Sequence, residues 1–500
     1  MMRSIKRILI ANRGEIAIRI MKTLKLLDIE AVGVYSEADK LSKHISYADK
    51  AYNIGEPEAL KSYLNTEKII DIAKQAKCDA IHPGYGFLAE NPTFAAMVQE
   101  NALIWIGPPP NCMRNLGDKI NSRIIAQSVG IPTTPGGTIE SIEQAHALAN
   151  ELGYPILIKA SAGGGGKGMR IVNSDKELEE AIIVAKKEAQ AAFADPTVYI
   201  EKYIEDAHHI EIQFIIDKFG NGLYFPEREC SIQRRYQKIV EESPSPTINR
   251  EVAKKMGEAA ISVTKKAGYY NAGTVEFIYD KKNEKFYFLE VNARIQVEHP
   301  VTEEISGFDF IASQIDIAEE KQIKLSQDEL NSRINGHAIE SRIYAEDTEN
   351  NFMSSVGKIE HYKEPSGFGI RVDSGFFEGS NVLIYYDSLI SKLIVKAPNR
   401  NMAIKKMYKA VSDYHISPIK TTIPLLKNIF SHKKFIEGEY NTRFLETYRD
   451  DLFSKKQNSS RIMEAIVLFE YLKQYKHPNY DAIQESSMTS CWESIGNWRG

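Results

Sequence analysis

The stretch from Thr274 to Pro300 leaves this chain few ways to fold. Two runs, Thr274-Val-Glu-Phe-Ile-Tyr279 and Phe286-Tyr-Phe-Leu289, are short and rich in aromatic or β-branched residues, as buried strands are. The polar segment Asp280-Lys-Lys-Asn-Glu284 between them predicts a hairpin with a moderately long loop. The second run then delivers Glu290-Val-Asn-Ala-Arg-Ile-Gln-Val-Glu-His-Pro300, which packs carboxylates, amides, a guanidinium and an imidazole into one short stretch. Strand side chains alternate, so Glu290 and Asn292 share a face. If residue 279 faces residue 285, residue 276 faces 288 and Glu276 joins them, whereas a slip of one residue turns it away. Two acids and an amide against apolar walls repel one another and cost on the order of several kcal/mol to desolvate. A hard divalent cation answers both problems, and oxygen ligands completed by phosphates suit magnesium. The competing reading is an exposed acidic strand edge with a surface ion pair between Arg294 and Glu298.

With 500 residues the chain is long enough for roughly three domains. A formal net charge of -4 argues against a nucleic-acid polyanion as main partner. Cys78, Cys112, Cys230 and Cys491 form no C-x-x-C pair, so neither a zinc nor a disulfide framework is expected, and reduced thiols in a cytoplasmic protein are the simple reading. The N-terminus lacks a secretory apolar region, and no apolar run approaches the roughly 20 residues that span a bilayer, so no membrane association is expected.

The expected fold is α/β and α+β in several domains. Ile5–Ile10, a helical pattern through Ile16, Ile20, Leu24 and Leu27, and Ala31–Ser36 make a βαβ unit. Strands near Ala80–His82 and Leu103–Ile106 extend it to a doubly wound parallel sheet over residues 1–118. Gly14 stands alone in the first strand-to-helix turn, so this is no dinucleotide fingerprint. His82-Pro-Gly-Tyr-Gly-Phe-Leu-Ala-Glu-Asn91 reads as a structured loop, held by its glycines and proline or walling a site.

Beyond Gly107-Pro-Pro-Pro110 a helix is expected from Ser122. Lys159 ends a strand that runs into Gly163-Gly-Gly-Gly166, and Met169–Val172 reads as the returning strand. The G-x-G-x-x-G match is weak because a strand, not a helix, follows. Lys167 is followed by glycine, so this is no Walker loop either. What remains is a glycine-rich hairpin whose free N–H groups suit an anion, with lysine on the strand leading in. Pro196–Ile204 reads as a strand, His208–Gln213 as a half-buried strand, and Glu229–Glu242 as a charged segment able to surround several oxyanions. Residues 251–267 form a helix, and short strands and helices from Gly336 to about residue 430 build a C-terminal α+β domain, with a strand reading that includes Leu383–Ser388. A further helix is expected at 461–475, ahead of Cys491, Trp492 and Trp498.

Ala11-Asn-Arg-Gly-Glu-Ile16, His82-Pro-Gly-Tyr-Gly-Phe87, Lys159-Ala-Ser-Ala-Gly-Gly-Gly-Gly166, Gln233-Arg-Arg235, Glu290 to His299 and Gly336-His-Ala-Ile-Glu-Ser-Arg342 together resemble the biotin carboxylase family, in order and with compatible spacing. The resemblance implies an N-terminal doubly wound domain (1–118), an ATP-grasp domain (119–335) with a lid at about 135–203, and a C-terminal domain (336–447), with a helical tail beyond (448–500). It implies ATP-dependent transfer of bicarbonate carbon to biotin through carboxyphosphate.

By position, the resemblance implies a nucleotide site of Lys119, Lys159, Gly163, Gly164, Gly165, Gly166, Met169, Glu201, Lys202, Tyr203, Ile204, His209, Gln233, Tyr236, Glu276, Ile278 and Glu290. Glu276, Glu290 and Asn292 resemble ligands for Mg2+ or Mn2+. Lys238, Arg294, Gln296 and Val297 resemble a bicarbonate cradle, Glu298 the base, and Arg342 the cation for the biotin enolate, with Asp387 positioning biotin or Arg342. Tyr236 departs from the histidine of many members. Ala162 and Lys167 lean toward the pyruvate, propionyl and methylcrotonyl branch. No Met-Lys-Met biotinylation turn is present, so biotin is expected on a separate biotin carboxyl carrier protein. The further partner implied is a carboxyltransferase subunit, and the family's assembly is a homodimer. Acetyl-CoA, propionyl-CoA and pyruvate carboxylases are the possible holoenzymes, fatty acid biosynthesis among the settings. The alternatives are another ATP-grasp ligase and a non-catalytic nucleotide-binding regulatory subunit.

Overall fold

The first strand, Arg7–Ile10, is the centre of a parallel sheet because its side chains are apolar on both faces, as a strand covered by helices on two sides requires. In the computed structural model, which describes residues 4–160, 169–193, 195–453 and 467–469, the order across this sheet is Lys50–Gly55, Glu30–Ser36, Arg7–Ile10, Ala80–His82, Ile104–Trp105. All four pairings are parallel. Lys50–Gly55 is a strand that the sequence pattern did not reveal. Gly14, at φ +63°, opens the helix Gly14–Leu26 in a backbone conformation that favours glycine. Asn12 Nδ2 donates to the carbonyls of Pro83 and Tyr85, each at 2.7 Å, and ties this turn to the 82–91 loop.

A four-stranded antiparallel sheet follows, in the order Gly136–Thr138, Val198–Lys202, Ile156–Ala160, Arg170–Val172. The helices Ile142–Leu152 and Asp175–Phe193 contribute to its apolar core. Residues 163–166, the expected anion-binding glycines, and positions 162 and 167 lie outside the described residues.

The largest sheet holds nine strands among the described residues. Its path runs Lys285–Asn292, Asn271–Asp280, Ala207–Ile216, Arg228–Arg234, Gln237–Ser243, His337–Tyr344, Leu389–Ala397, Ile370–Ser374, with Gly222–Tyr224 beside Ala207–Ile216. Strands on either side of residue 335 are therefore hydrogen-bonded into one sheet, through the pairing of Gln237–Ser243 with His337–Tyr344. The helix Arg250–Lys266 buries Met256, Ala259, Ala260 and Val263, and Asn249 caps its start by accepting from Val252 N.

Three expectations need correction. Ala207–Ile216 is buried along its whole length and not half-buried, because it lies in the interior of the large sheet. Leu383–Ser388 is not strand: Asn381–Val382 ends before it and Leu389 begins the next. Here Tyr386 Oη instead donates to Pro57 O at 2.6 Å, leaving the segment shaped by the N-terminal sheet's loops. The hairpin register also differs: Tyr279 pairs with Phe286 and not with residue 285, and Glu276 pairs with Glu290 and not with residue 288.

The described residues up to Phe453 form one compact unit. Of the expected 461–475 helix, residues 467–469 are described and are helical. Cys491, Trp492 and Trp498 lie outside the described residues. No helix among the described residues is long and apolar enough to cross a membrane.

Candidate active site

The hairpin's register sets the site. Near the loop, Phe277 pairs with Phe288; one step on, Glu276 pairs with Glu290. Leu289 is the extra residue of a β-bulge, which re-aims the side chains beyond it. The predicted convergence of Glu276, Glu290 and Asn292 is thus present, produced by an irregularity that alternation alone does not foresee. Asn292 Nδ2 donates to Glu276 Oε1 at 2.8 Å, and Gln296 Nε2 does so at the same distance.

Around Glu276 the charges are densely packed. Lys238 Nζ lies 3.0 Å from Glu276 Oε1 and 2.7 Å from Glu298 Oε1, and it also contacts Glu211. His209 Nε2 lies 2.9 Å from Glu276 Oε2. Burial pushes the Glu276 carboxyl up, but Lys238 and His209 outweigh it and hold the group well below the usual carboxylate range. Conversely, burial would strip His209 of its proton, yet Glu276 and Glu211 raise it to about 9. Glu290 is pushed up by burial and by Glu276, with Lys119 opposing.

Glu298 sits immediately before the helix His299–Ser306, with Pro300 in that helix's first turn. Its Oε1 is held by Lys238 and its Oε2 by Arg342 Nη2 at 2.9 Å. Arg342 is braced in turn by Glu241, whose Oε1 accepts from Nε at 2.5 Å. Burial and Glu211 push Glu298 up; Lys238, Arg342 and Arg228 reverse this and leave it below the ordinary carboxylate value. At 2% exposure Glu298 cannot belong to an exposed acidic edge. Nor does it pair with Arg294, which binds Glu90 Oε2 at 2.9 Å and Asn292 Oδ1 at 2.9 Å.

Among the residues expected to hold nucleotide, Lys159 Nζ lies 2.6 Å from Glu201 Oε2, and Arg123 binds the other oxygen of that carboxylate. Lys119 begins the helix Lys119–Ser128; burial lowers its ammonium while Glu290 raises it. Lys202 Nζ donates to Gly153 O at 2.8 Å, and Met169, Tyr203, Ile204 and Ile278 are half-buried. Gln233 pairs across its hairpin with Lys238. Arg235 and Tyr236 form the two-residue turn of that hairpin, both at positive φ, with Tyr236 exposed. Asp387 is exposed and accepts from Leu389 N at 2.7 Å. Arg342 turns to Glu241 and Glu298.

The donor set fits a hard cation: Glu276 and Glu290 face each other across the hairpin, and Glu276 pushes the Glu290 carboxyl up, a repulsion that a bound cation would relieve. Asn292 is turned otherwise, its amide nitrogen toward Glu276 and its oxygen on Arg294, so it joins the ligands only if the amide turns over.

Sequence reasoning missed Glu211, Arg228, Glu241 and Glu90. Glu211 shares a strand face with His209 two residues away, a signal that could have found it. The buried Arg228 bridges Glu211 Oε2 at 3.0 Å, Gln213 Oε1 at 2.8 Å and Gln296. Glu90 reaches Arg294 and Ala293 N from a loop whose partner only the fold reveals.

Residues 4–113 match the family "Biotin carboxylase, N-terminal domain", 118–326 "Carbamoyl-phosphate synthase L chain, ATP binding domain", and 340–447 "Biotin carboxylase C-terminal domain". Biotin carboxylase 1 of Bacillus subtilis is 49% identical over 446 residues, covering 89% of this chain and 99% of that protein. The chain belongs to the biotin carboxylase family. The 2-oxoglutarate carboxylase small subunit of Hydrogenobacter thermophilus is 46% identical over 445 residues, covering 89% of this chain and 93% of that protein. Among solved structures, a biotin carboxylase–β,γ-ATP complex from Campylobacter jejuni is 45% identical with a TM-score of 0.86, covering 89% of this chain and 99% of that one. The biotin carboxylase domain dimer of Hydrogenobacter thermophilus 2-oxoglutarate carboxylase, holding MgADP, ADP and bicarbonate, is 45% identical with a TM-score of 0.87, covering 91% of this chain and 100% of that one. As in the family, the fold here is a parallel N-terminal sheet followed by a mixed α/β body.

Proposed function

We propose that this chain is an ATP-dependent ligase that carboxylates biotin with bicarbonate, the first half-reaction of a biotin-dependent carboxylase. The observation that carries this reading is Glu298, buried and ionised, with one oxygen on Lys238 and the other on Arg342.

Bicarbonate is a poor nucleophile until it loses its proton. A carboxylate kept ionised at the head of a buried turn takes that proton, while Lys238 and Arg294 hold the charge that develops. The freed oxygen attacks the γ-phosphorus of ATP, ADP leaves, and carboxyphosphate forms. Lys119 and Lys159 flank the phosphates, and Glu201 fixes the Lys159 ammonium in place. Magnesium held by Glu276 and Glu290 would neutralise charge on the transferring phosphoryl group. Carboxyphosphate reacts readily with water, so a site whose acids are nearly all buried suits it. Arg342 cannot lose its proton at working pH, which makes it a dependable cation beside the ureido oxygen of biotin as that oxygen gains charge. The acceptor is biotin on a carrier protein, with a carboxyltransferase receiving the product and a homodimer as the assembly. The dimer of the Hydrogenobacter relative supports the last of these. Asp387, on the exposed loop before Leu389, would help to position biotin or Arg342.

Phosphate release by the full chain with MgATP tests this. It should require bicarbonate and rise further with free biotin. Release indifferent to bicarbonate, or stimulated by ammonia or an amine in place of biotin, would point to another ATP-grasp ligase.

A further inference from the structure

Lys392 lies in the apolar strand Leu389–Ala397 and is completely buried, although an ammonium in such surroundings costs several kcal/mol, roughly, unless its protons are all met. Its Nζ donates to the main-chain carbonyl of Val297 at 3.0 Å and lies 3.1 Å from Glu15 Oε2, with Asp373 Oδ2 at 4.0 Å. Glu15 comes from the first helix of the N-terminal sheet and also accepts from Tyr85 Oη. Arg342, Lys392 and Asp373 stand in one row across three paired strands, so their side chains leave the same face of the sheet. Two adjacent cations of that row grip consecutive residues of one turn, Arg342 the carboxylate of Glu298 and Lys392 the carbonyl of Val297. The neighbouring carbonyl is pinned too, because Gln296 O accepts from His299 Nδ1 at 2.7 Å. Two carboxylates alone would account for a structural lysine. The carbonyl between Gln296 and Glu298 is what ties this one to the chemistry.

We propose that Lys392 is a positioning residue for bicarbonate activation: it fixes the Val297 peptide, and so the aim of Glu298 and Gln296, by anchoring that turn to Glu15 of the N-terminal sheet. This rests on the function proposed above. A displaced turn loses near-attack geometry for bicarbonate while leaving the Lys159–Glu201 pair and Lys119 in place, and a misplacement of about 1 Å can cost on the order of a hundredfold.

The test is K392M and K392R in the full chain, with initial rates of bicarbonate-dependent phosphate release and thermal unfolding midpoints. In K392M the KM for bicarbonate should rise about tenfold or more with the KM for ATP within about twofold, and K392R should recover most of the loss. A lowered unfolding midpoint with kcat/KM for bicarbonate unchanged, or a loss that arginine does not rescue, would make Lys392 merely structural and overturn the proposal. Should K392M fail to fold, E15Q replaces it, with about a threefold rise in bicarbonate KM expected and an unchanged value overturning the proposal. A wild-type chain lacking bicarbonate-dependent release would refute the proposed function itself. Wild-type release with unaltered variants refutes the role of Lys392 alone.

Discussion

Glu276 stands directly across its hairpin from Glu290, with Leu289 left unpaired beside them. The pair is electrostatically lopsided. Glu276 is held ionised by Lys238 and His209, whereas Glu290 is pushed up by burial and by Glu276 itself. Neutral pH thus finds two facing acids with most of the local cationic charge on one of them, while Lys119 and, more weakly, His209 oppose the burial of the other.

Replacing Glu298 with glutamine keeps the shape and removes the carboxylate proposed as the base. Bicarbonate-dependent phosphate release should fall about 10²–10³-fold, with the KM for ATP within about twofold, because nothing on the nucleotide side touches Glu298. Near-wild-type turnover in steady-state assays would take the base role away from it.

Arg342→Ala separates the two halves of the reaction. Carboxylation of free biotin should drop about a hundredfold or more, and bicarbonate-dependent ATP cleavage only about tenfold, the smaller loss reflecting the 2.9 Å contact with Glu298. Measuring both rates on one preparation checks this; equal losses would contradict the assignment.

The pH dependence of stability carries a signature of His209. Its pKa is raised by Glu276 from 6.5 to about 9, so its stabilisation is fully present below pH 6.5 and is lost as pH rises through 9. Denaturant titrations should show the wild-type advantage over His209→Gln shrinking across that window by on the order of 2–3 kcal/mol. A difference that grows with pH would reverse the account.

Tyr236 occupies a turn position better suited to glycine. Arg235 and Tyr236 have φ of +47° and +69°, the pattern of a two-residue hairpin turn in which Asn-Gly is favoured. Tyr236→Gly should therefore raise stability by about 1 kcal/mol while raising the KM for ATP, and Tyr236→Phe should raise that KM only modestly. A glycine variant that is less stable would contradict the turn argument, and one that binds ATP as tightly as wild type would remove the tyrosine from the nucleotide site.

The sequence made the element order legible where apolar periodicity was strong. The helix expected over 251–267 is Arg250–Lys266, and the strands expected at 274–279 and 286–289 lie within Asn271–Asp280 and Lys285–Asn292. What stayed hidden depends on contacts distant in the chain. The Leu289 bulge is a property of two strands together, and no single-strand pattern encodes it. Lys50–Gly55 alternates too weakly to stand out, and Tyr386 is drawn away from strand geometry by Ser36 and Pro57, some 330 residues or more earlier. Glu211 and Lys392 were visible as charged residues inside apolar strands, which is itself a signal that a buried partner waits.

Counting bound manganese by electron paramagnetic resonance, with a non-hydrolysable ATP analogue present, tests most directly whether the Glu276–Glu290 pair grips the cation that bridges ATP. Wild type should bind the ion tightly only with nucleotide, and Glu290→Gln should weaken that binding about tenfold or more while leaving nucleotide affinity in the absence of metal nearly unchanged. Manganese affinity identical in wild type and in both Glu276→Gln and Glu290→Gln would contradict the account.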